Sequence, residues 1–284
     1  MKNNAALIEE LLDFARHEEN IRLVVLNGSL VNPDFTPDEY QDIDVSIFVR
    51  DLQPYIRNYS IPAAFGDLAI LQTPDDWGEP RPNVFRQFAY LAQYKDGSRI
   101  DFTFQPVTTA YLIYEDSLSK VVLDKDDLIP ELPEPNDSSY FPTRPTPNLY
   151  ADCCNEFWWL MPYIAKGIAR GKPASAQAHL SLARQQLYQM LIWHFGFHTD
   201  FKQNTGKHGR RLAEVIGEDS WQRFLDTYTS CETTSMVSSC HSAMDLFEET
   251  SREVAKEFGY TFESVQVSNV RRFLPSRFPG IFSP

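Results

Sequence analysis

The sequence predicts an α+β protein: an N-terminal half built on a mixed β-sheet flanked by helices, then a C-terminal all-α helical bundle. Three observations carry this. Short apolar-alternating runs fill residues 21–124, six prolines crowd into residues 130–148, and beyond them apolar residues recur at helical spacing. The 284 residues suit one large domain or two ordinary ones. The proline-dense segment reads as a linker, so the expected division is 1–148, including linker 130–148, and 149–284.

Each element has its own signal. Residues 3–18 place Ala6, Leu7, Leu11, Leu12, Phe14 and Ala15 at helical spacing. "IRLVVLN" (21–27) is a short strand. "DIDVSIFV" (42–49) is another, with Ile43, Val45, Ile47 and Val49 alternating against Asp42, Asp44, Ser46 and Phe48. "DLAILQT" (67–73) is a third. "FRQFAYLAQY" (85–94) and "SRIDFTF" (98–104) flank Asp96-Gly97, a tight-turn pair, and read as a hairpin. "KVVLD" (120–124) is a last short strand. Helices are expected over about 149–170, 174–197, 207–216, 219–229 and 235–258.

A composition of 43% hydrophobic and 13% aromatic residues can bury a real core and excludes a disordered chain. No run of about 18 apolar residues occurs, so no membrane span is expected. Glu9, Glu10 and Asp13 interrupt the N-terminal pattern where a signal peptide needs an apolar stretch; a cytoplasmic protein is expected. Cys153, Cys154, Cys231 and Cys240 lack zinc-finger spacing and read as free thiols of a reducing compartment. The six histidines are read as showing no metal-ligand spacing. The net charge of −13 lies wholly in the first half: residues 1–148 hold 25 acidic and 12 basic residues, residues 149–284 hold 14 of each. Such a half repels nucleic-acid backbones and attracts cations; a merely solubilising acidic surface is the plainer alternative.

The chemistry concentrates in "NGSLVNPDFTPDEYQDIDVSIFV" (27–49). Strand residues i and i+2 share a face, so Asp42 and Asp44 project together. Two such carboxylates repel, and a divalent cation relieves the conflict. Mg²⁺ prefers oxygen ligands and commonly takes one or two carboxylates plus substrate phosphates. Asp101, between apolar Ile100 and Phe102, is the candidate third carboxylate; taken alone it reads as an ordinary exposed strand residue. Gly28-Ser29 follows the first strand. There glycine allows close approach of a ligand, and the following N–H groups with the Ser29 hydroxyl can grip phosphate oxygens. Neither a Walker A loop, a Rossmann glycine fingerprint, HExxH nor GxSxG is present.

Gly28, Ser29, Asn32, Pro33, Asp38, Asp42 and Asp44 together resemble the GS…DxD motif of nucleotidyltransferases, in the form found in the aminoglycoside 6-adenylyltransferases, also called streptomycin adenylyltransferases. "GDLAILQTPDD" (66–76), "DGSRIDFT" (96–103), "VLDKD" (122–126), "CCNEFWWLMPYIAKGI" (153–168) and "TGKHGRRL" (205–212) extend the resemblance in order over most of the chain. Ile43 and Val45-Ser46-Ile47 depart from a more tyrosine-rich pattern. The resemblance implies a nucleotidyltransferase domain followed by a helical substrate-binding domain. It implies transfer of AMP from ATP to an aminoglycoside hydroxyl, with streptomycin at position 6 the leading acceptor, and release of pyrophosphate. Asp42 and Asp44 would hold Mg²⁺ against the triphosphate, two ions being expected. Asp101 would bind the second ion, act as general base, or both. The partners expected are ATP and a polycationic aminoglycoside, with no nucleic acid and no membrane, and a monomer is favoured over an oligomer. Competing readings are transfer to another small antibiotic or a protein side chain, and a non-catalytic relative that binds nucleotide or drug.

In the helical half, Glu156, Trp159 and Tyr163 share one helix face, and a carboxylate among aromatics suits a cationic sugar or guanidinium group. Trp158 and Trp159 read equally well as core. For the phosphates, Lys207 in "GKHGRRL" would stand at a helix start, where the dipole favours anions; Lys166 is the second candidate.

Overall fold

The computed structural model describes residues 3–79 and 82–282. The chain divides into two compact units, Met1–Ser139 and Tyr140–Pro284. Their boundary falls inside the proline-dense segment.

The first unit opens with α1 (Asn4–His17), capped by Asn3, whose side chain accepts from the Ala5 N–H, and burying Leu7, Leu11, Leu12 and Ala15. β1 (Ile21–Asn27), β2 (Ile43–Val49), the single turn α2 (Ser60–Ala63), β3 (Leu68–Gln72), β4 (Phe88–Tyr94), β5 (Arg99–Pro106) and β6 (Ser119–Asp124) follow. The six strands form one sheet in the order β3-β4-β5-β2-β1-β6. The β2–β5 pair is parallel and the other pairs are antiparallel. The sheet is therefore mixed.

Alternation sorts the strand residues between two faces. Val24, Leu26, Ile43, Val45, Ile47, Ile100, Phe102 and Phe104 pack with Leu7 and Leu11 of α1 in the main core. Leu23, Val25 and Phe48 meet Ala110 and Ile113 in a smaller cluster on the opposite face. Ala110 and Ile113 belong to a 3-10 stretch, Val107–Glu115, for which the sequence pattern predicts no element. Phe48 is thus buried as well, although it alternates with the inward-facing residues of β2: both faces of the sheet are covered at that end. The strand expected from Phe85 starts at Phe88; Phe85 is exposed, and its N–H bonds to the Asn83 side chain in a turn. The β4–β5 turn forms at Asp96-Gly97 as expected. Gly97 takes a positive φ of 94°, and the Asp96 carboxylate accepts from the Ser98 N–H (3.0 Å) and hydroxyl (2.6 Å).

The second unit is all-helical: α3 (Pro147–Ala169), α4 (Pro173–His198), α5 (Leu212–Ile216), α6 (Glu218–Leu225), α7 (Thr233–Phe258) and α8 (Ser264–Arg277). α3 starts where the linker ends. Thr146 caps it by accepting from the Leu149 N–H, and Pro147 takes the first turn, where its missing N–H costs nothing. α3 and α4 pack closely because Gly167 faces Ala176; a Cβ there would lie 2.9 Å from that of Ala176. Phe157 stacks on Phe247 of α7 at 3.8 Å between centroids, and the Tyr150 hydroxyl donates to the Ser251 carbonyl at 2.9 Å. The helix expected over 207–216 is corrected. Lys207–Gly209 is a single 3-10 turn between Gly206 and Gly209, both at positive φ, and α5 begins only at Leu212. α8 has no counterpart in the predicted elements, because it buries only Val267 and Leu274 and carries Pro275. All four cysteines are free; burial raises the Cys153 thiol, and those of Cys154 and Cys240 to about 11 and about 12. Among the described residues, no helix is long and apolar enough to cross a membrane.

Candidate active site

Register assembles the site in the first unit. Asp44 of β2 stands beside Asn27 of β1 on one side and beside Asp101 of β5 on the other. Residues in register on neighbouring strands point to the same face. This row is the polar end of the face whose other end carries Leu23, Val25 and Phe48. Asp42 immediately precedes β2 and is 40% exposed, whereas Asp101 is 15% exposed. Asn27 is fixed by donating to the Ser119 hydroxyl of β6 at 2.8 Å.

Gly28 opens a 3-10 turn, Gly28–Leu30, at the end of β1. Two constraints select glycine here. Its φ is +70°, and an added Cβ would lie 2.8 Å from Asp44 Oδ2. The Gly28 N–H donates to the Leu118 carbonyl at 3.0 Å, so phosphate contacts from this turn fall to the groups after it. The Ser29 hydroxyl lies 3.5 Å from the Gln41 side-chain amide.

A cation already stands among the carboxylates. Arg99 lies two residues before Asp101 on β5 and so on the same face. Its guanidinium donates to both Asp101 oxygens, at 2.9 and 2.7 Å, and approaches Asp42 at 3.5 Å. The Asp101 hydrogen bond, followed by attraction to Asp101, Asp42 and Asp44, raises the Arg99 pKa against the opposing effect of burial. The donor set fits a hard divalent cation. Three carboxylates meet around one positive group, and the space beside Asp44 is one that a Cβ would fill.

The second unit presents the helical candidates. Glu156, Trp159, Tyr163 and Lys166 fall along one exposed stripe of α3. The two tryptophans divide: Trp158 is 2% exposed and packs edge-on against Phe157 and Phe247, while Trp159 is 60% exposed and lies 6.1 Å from the Tyr163 ring. Glu156 and Asp152 line an open cleft of 490 Å³ with Gln186, Gln189 and Trp193. Lys166 sits 4.8 Å over the Tyr163 ring and lines a different cleft, of 450 Å³, with Arg170 and Arg277. Lys207 is exposed on its 3-10 turn and so does not have the α-helical N-terminus expected for it. Gly28, Ser29, Asp42, Asp44 and Asp101 thus come together in the first unit. Glu156, Trp159, Tyr163 and Lys166 share one stripe of α3 in the second, and Lys207 lies on a different element, the turn Lys207–Gly209.

Comparison with known proteins fits this geometry. The family described as streptomycin adenylyltransferase matches residues 1–277. The chain belongs to this family. It is 33% identical over 265 residues to an aminoglycoside 6-adenylyltransferase of Bacillus subtilis, covering 92% of this chain and 93% of that one. It is 34% identical to the aminoglycoside 6-adenylyltransferase of Campylobacter jejuni, covering 92% and 91%. A crystal structure of an aminoglycoside 6-adenyltransferase from Bacillus subtilis aligns over 99% of this chain and 100% of its own, with 28% identity and a TM-score of 0.49. Membership of the streptomycin adenylyltransferase family makes this chain a nucleotidyltransferase enzyme.

Two features of the family member escape the sequence reading. Arg99 was legible in principle, since Arg-x-Asp on a strand puts cation and carboxylate on one face. The second is a surface cluster in the helical unit. His194 and His198 are four residues apart on α4, which is a ligand spacing on a helix, and Glu253 of α7 joins them.

Proposed function

We propose that the protein transfers the adenylyl group of ATP to a hydroxyl of an aminoglycoside, releasing pyrophosphate, with streptomycin at position 6 the leading acceptor. The observation that carries this reading is the row Asp44–Asp101 in register across parallel strands, with Gly28 held against Asp44. The names of the relatives support the acceptor class.

Asp42, Asp44 and Asp101 would hold Mg²⁺. When bound, the ion neutralises charge on the phosphate oxygens and on the departing pyrophosphate. The chain's own residues do the rest. The Ser29 hydroxyl and the N–H groups that follow Gly28 in its turn would hold phosphate oxygens. Asp101 would take the proton of the acceptor hydroxyl as its oxygen attacks the α-phosphorus and the bond to the bridging oxygen of pyrophosphate breaks. Arg99 keeps the Asp101 carboxylate oriented for this, through two hydrogen bonds. Lys207 and Lys166, the latter beside Arg170 and Arg277, would be the second-unit candidates for the β and γ phosphates. Glu156, Trp159 and Tyr163 would receive the cationic drug by charge and ring contact. The acidic excess of residues 1–148 would concentrate a polycation near the site.

The test is incubation of the protein with Mg-ATP and a panel of aminoglycosides, followed by mass spectrometry and pyrophosphate assay. Streptomycin gaining one adenylyl group, with stoichiometric pyrophosphate, is the expected result. Gain on a different aminoglycoside would move the acceptor; no gain on any would remove the proposal.

A further inference from the structure

The cluster at the α4–α7 seam is not used by the proposed transfer. The ligand atoms of His194, His198 and Glu253 all lie within 4.8 Å of one another. His194 Nε2 and Glu253 Oε2 are 2.5 Å apart, and the two imidazole centroids are separated by 5.2 Å at 77°. His194 is half-buried, while His198 and Glu253 are exposed, so solvent reaches the group. We propose that His194, His198 and Glu253 form a site for a borderline divalent transition-metal ion of the zinc type, pinning α4 to α7.

The donor set decides the class of ion. Two imidazole nitrogens and one carboxylate oxygen are the ligands Zn²⁺ takes, with further positions open to water. A hard ion such as Mg²⁺ prefers oxygen throughout, so this site is chemically distinct from the carboxylate row of the first unit. The spacing is within reach. Zn²⁺ binds these atoms at about 2.0–2.2 Å, which sets them roughly 3.4 Å apart around a tetrahedron. The short His194–Glu253 contact therefore opens and the wider separation closes, both by side-chain rotation. One neighbour favours the ion. Phe197 lies 4.0 Å from the His198 ring and 5.2 Å from that of His194, an apolar shoulder that limits solvent on one side. Glu249, one turn before Glu253 on α7, is paired with Arg223 at 2.7 Å and so adds little net charge at the site. The proposal is independent of the adenylyl-transfer reading.

The test uses the full chain carrying Asp42→Asn, Asp44→Asn, Asp101→Asn and Cys231→Ser, which removes the competing oxygen ligands and the exposed thiol. Titration with Co²⁺ is followed by visible absorption, and Zn²⁺ affinity by competition with a chromophoric chelator. One equivalent of Co²⁺ giving d–d bands, displaced by Zn²⁺, is expected. His198→Gln, at an exposed position, removes a ligand and should weaken Zn²⁺ by at least the roughly 10–100-fold that loss of a supporting partner costs, and His194→Gln with His198→Gln should abolish saturable binding. At a concentration that saturates the parent but not the His198→Gln variant, Zn²⁺ should raise the melting temperature of the parent and not that of the variant. Absence of saturable Co²⁺ binding overturns the site. So does binding that His198→Gln leaves unchanged in a variant whose circular dichroism matches the parent. Binding without any His198-dependent rise in melting temperature overturns the pinning of the two helices.

Discussion

The carboxylate row of the first unit and the aromatic stripe of α3 hold their polar groups in opposite ways. In the sheet, Asp44, Asp101 and Asn27 are set by strand register, and Arg99 and Ser119 bind members of the row through short hydrogen bonds. On the helix, Glu156, Trp159 and Tyr163 are aligned by the 3.6-residue period, with Tyr163 stacked on His179 of α4, and all three are exposed. The lesson is that register can gather like charges at low solvent exposure, as chemistry on a triphosphate requires, because the strands on both sides supply counter-groups. A helix face offers a longer, softer surface suited to a ligand that makes many weak contacts.

Four tests, using five substitutions, would break or sharpen that contrast. Asp44→Asn should reduce transfer by the order of 10³-fold or more, since charge stabilisation by a held metal is worth several kcal/mol. The fold should survive, because the change relieves like-charge repulsion. Turnover near wild type with Mg²⁺ present would contradict the metal assignment. Asp101→Asn should cut kcat by about 10²–10⁴ while calorimetry still shows ATP binding. Loss of nucleotide binding with unchanged turnover at saturation would make Asp101 a nucleotide or metal ligand and not the base.

The third test separates the two tryptophans. Trp158→Ala should cost about 3–5 kcal/mol in chemical denaturation, because its ring fills the core beside Phe157 and Phe247. Trp159→Ala should change stability by no more than about 0.5 kcal/mol and raise KM for the aminoglycoside at unchanged kcat. An unchanged KM would remove Trp159 from the drug surface. The last test concerns Arg99. Its side chain is 37% exposed, so Arg99→Gln should cost only about 0.2–1 kcal/mol in the metal-free protein. Mn²⁺ followed by electron paramagnetic resonance should bind more tightly to the variant, as a competing cation is gone. Weaker Mn²⁺ binding would show that Arg99 organises the carboxylates for the metal instead of standing in for it.

The sequence by itself determined the α+β class, five of the strands within two residues at each end and the helical second half, and it named the carboxylates on which the proposed chemistry rests. These rest on local regularities: alternation in strands, the helical period, a proline-dense break, and a Gly-Ser turn spaced from Asp-x-Asp. What it misjudged lacks such regularity. The 3-10 stretch 107–115 is held by only two buried residues, Ala110 and Ile113. α8 buries residues seven apart, and Gly206 and Gly209, both at positive φ, stop a helix that the surrounding pattern predicted. Only the tertiary structure decided that β2 runs parallel to β5, which brings Asp101 beside Asp44 across 57 residues of chain. Only it divided Trp158 from Trp159, and set Glu253 against His194 and His198. The physical reason is the same each time: a periodic pattern fixes which way a side chain leaves its own element, whereas its neighbours are chosen by packing among elements distant in sequence.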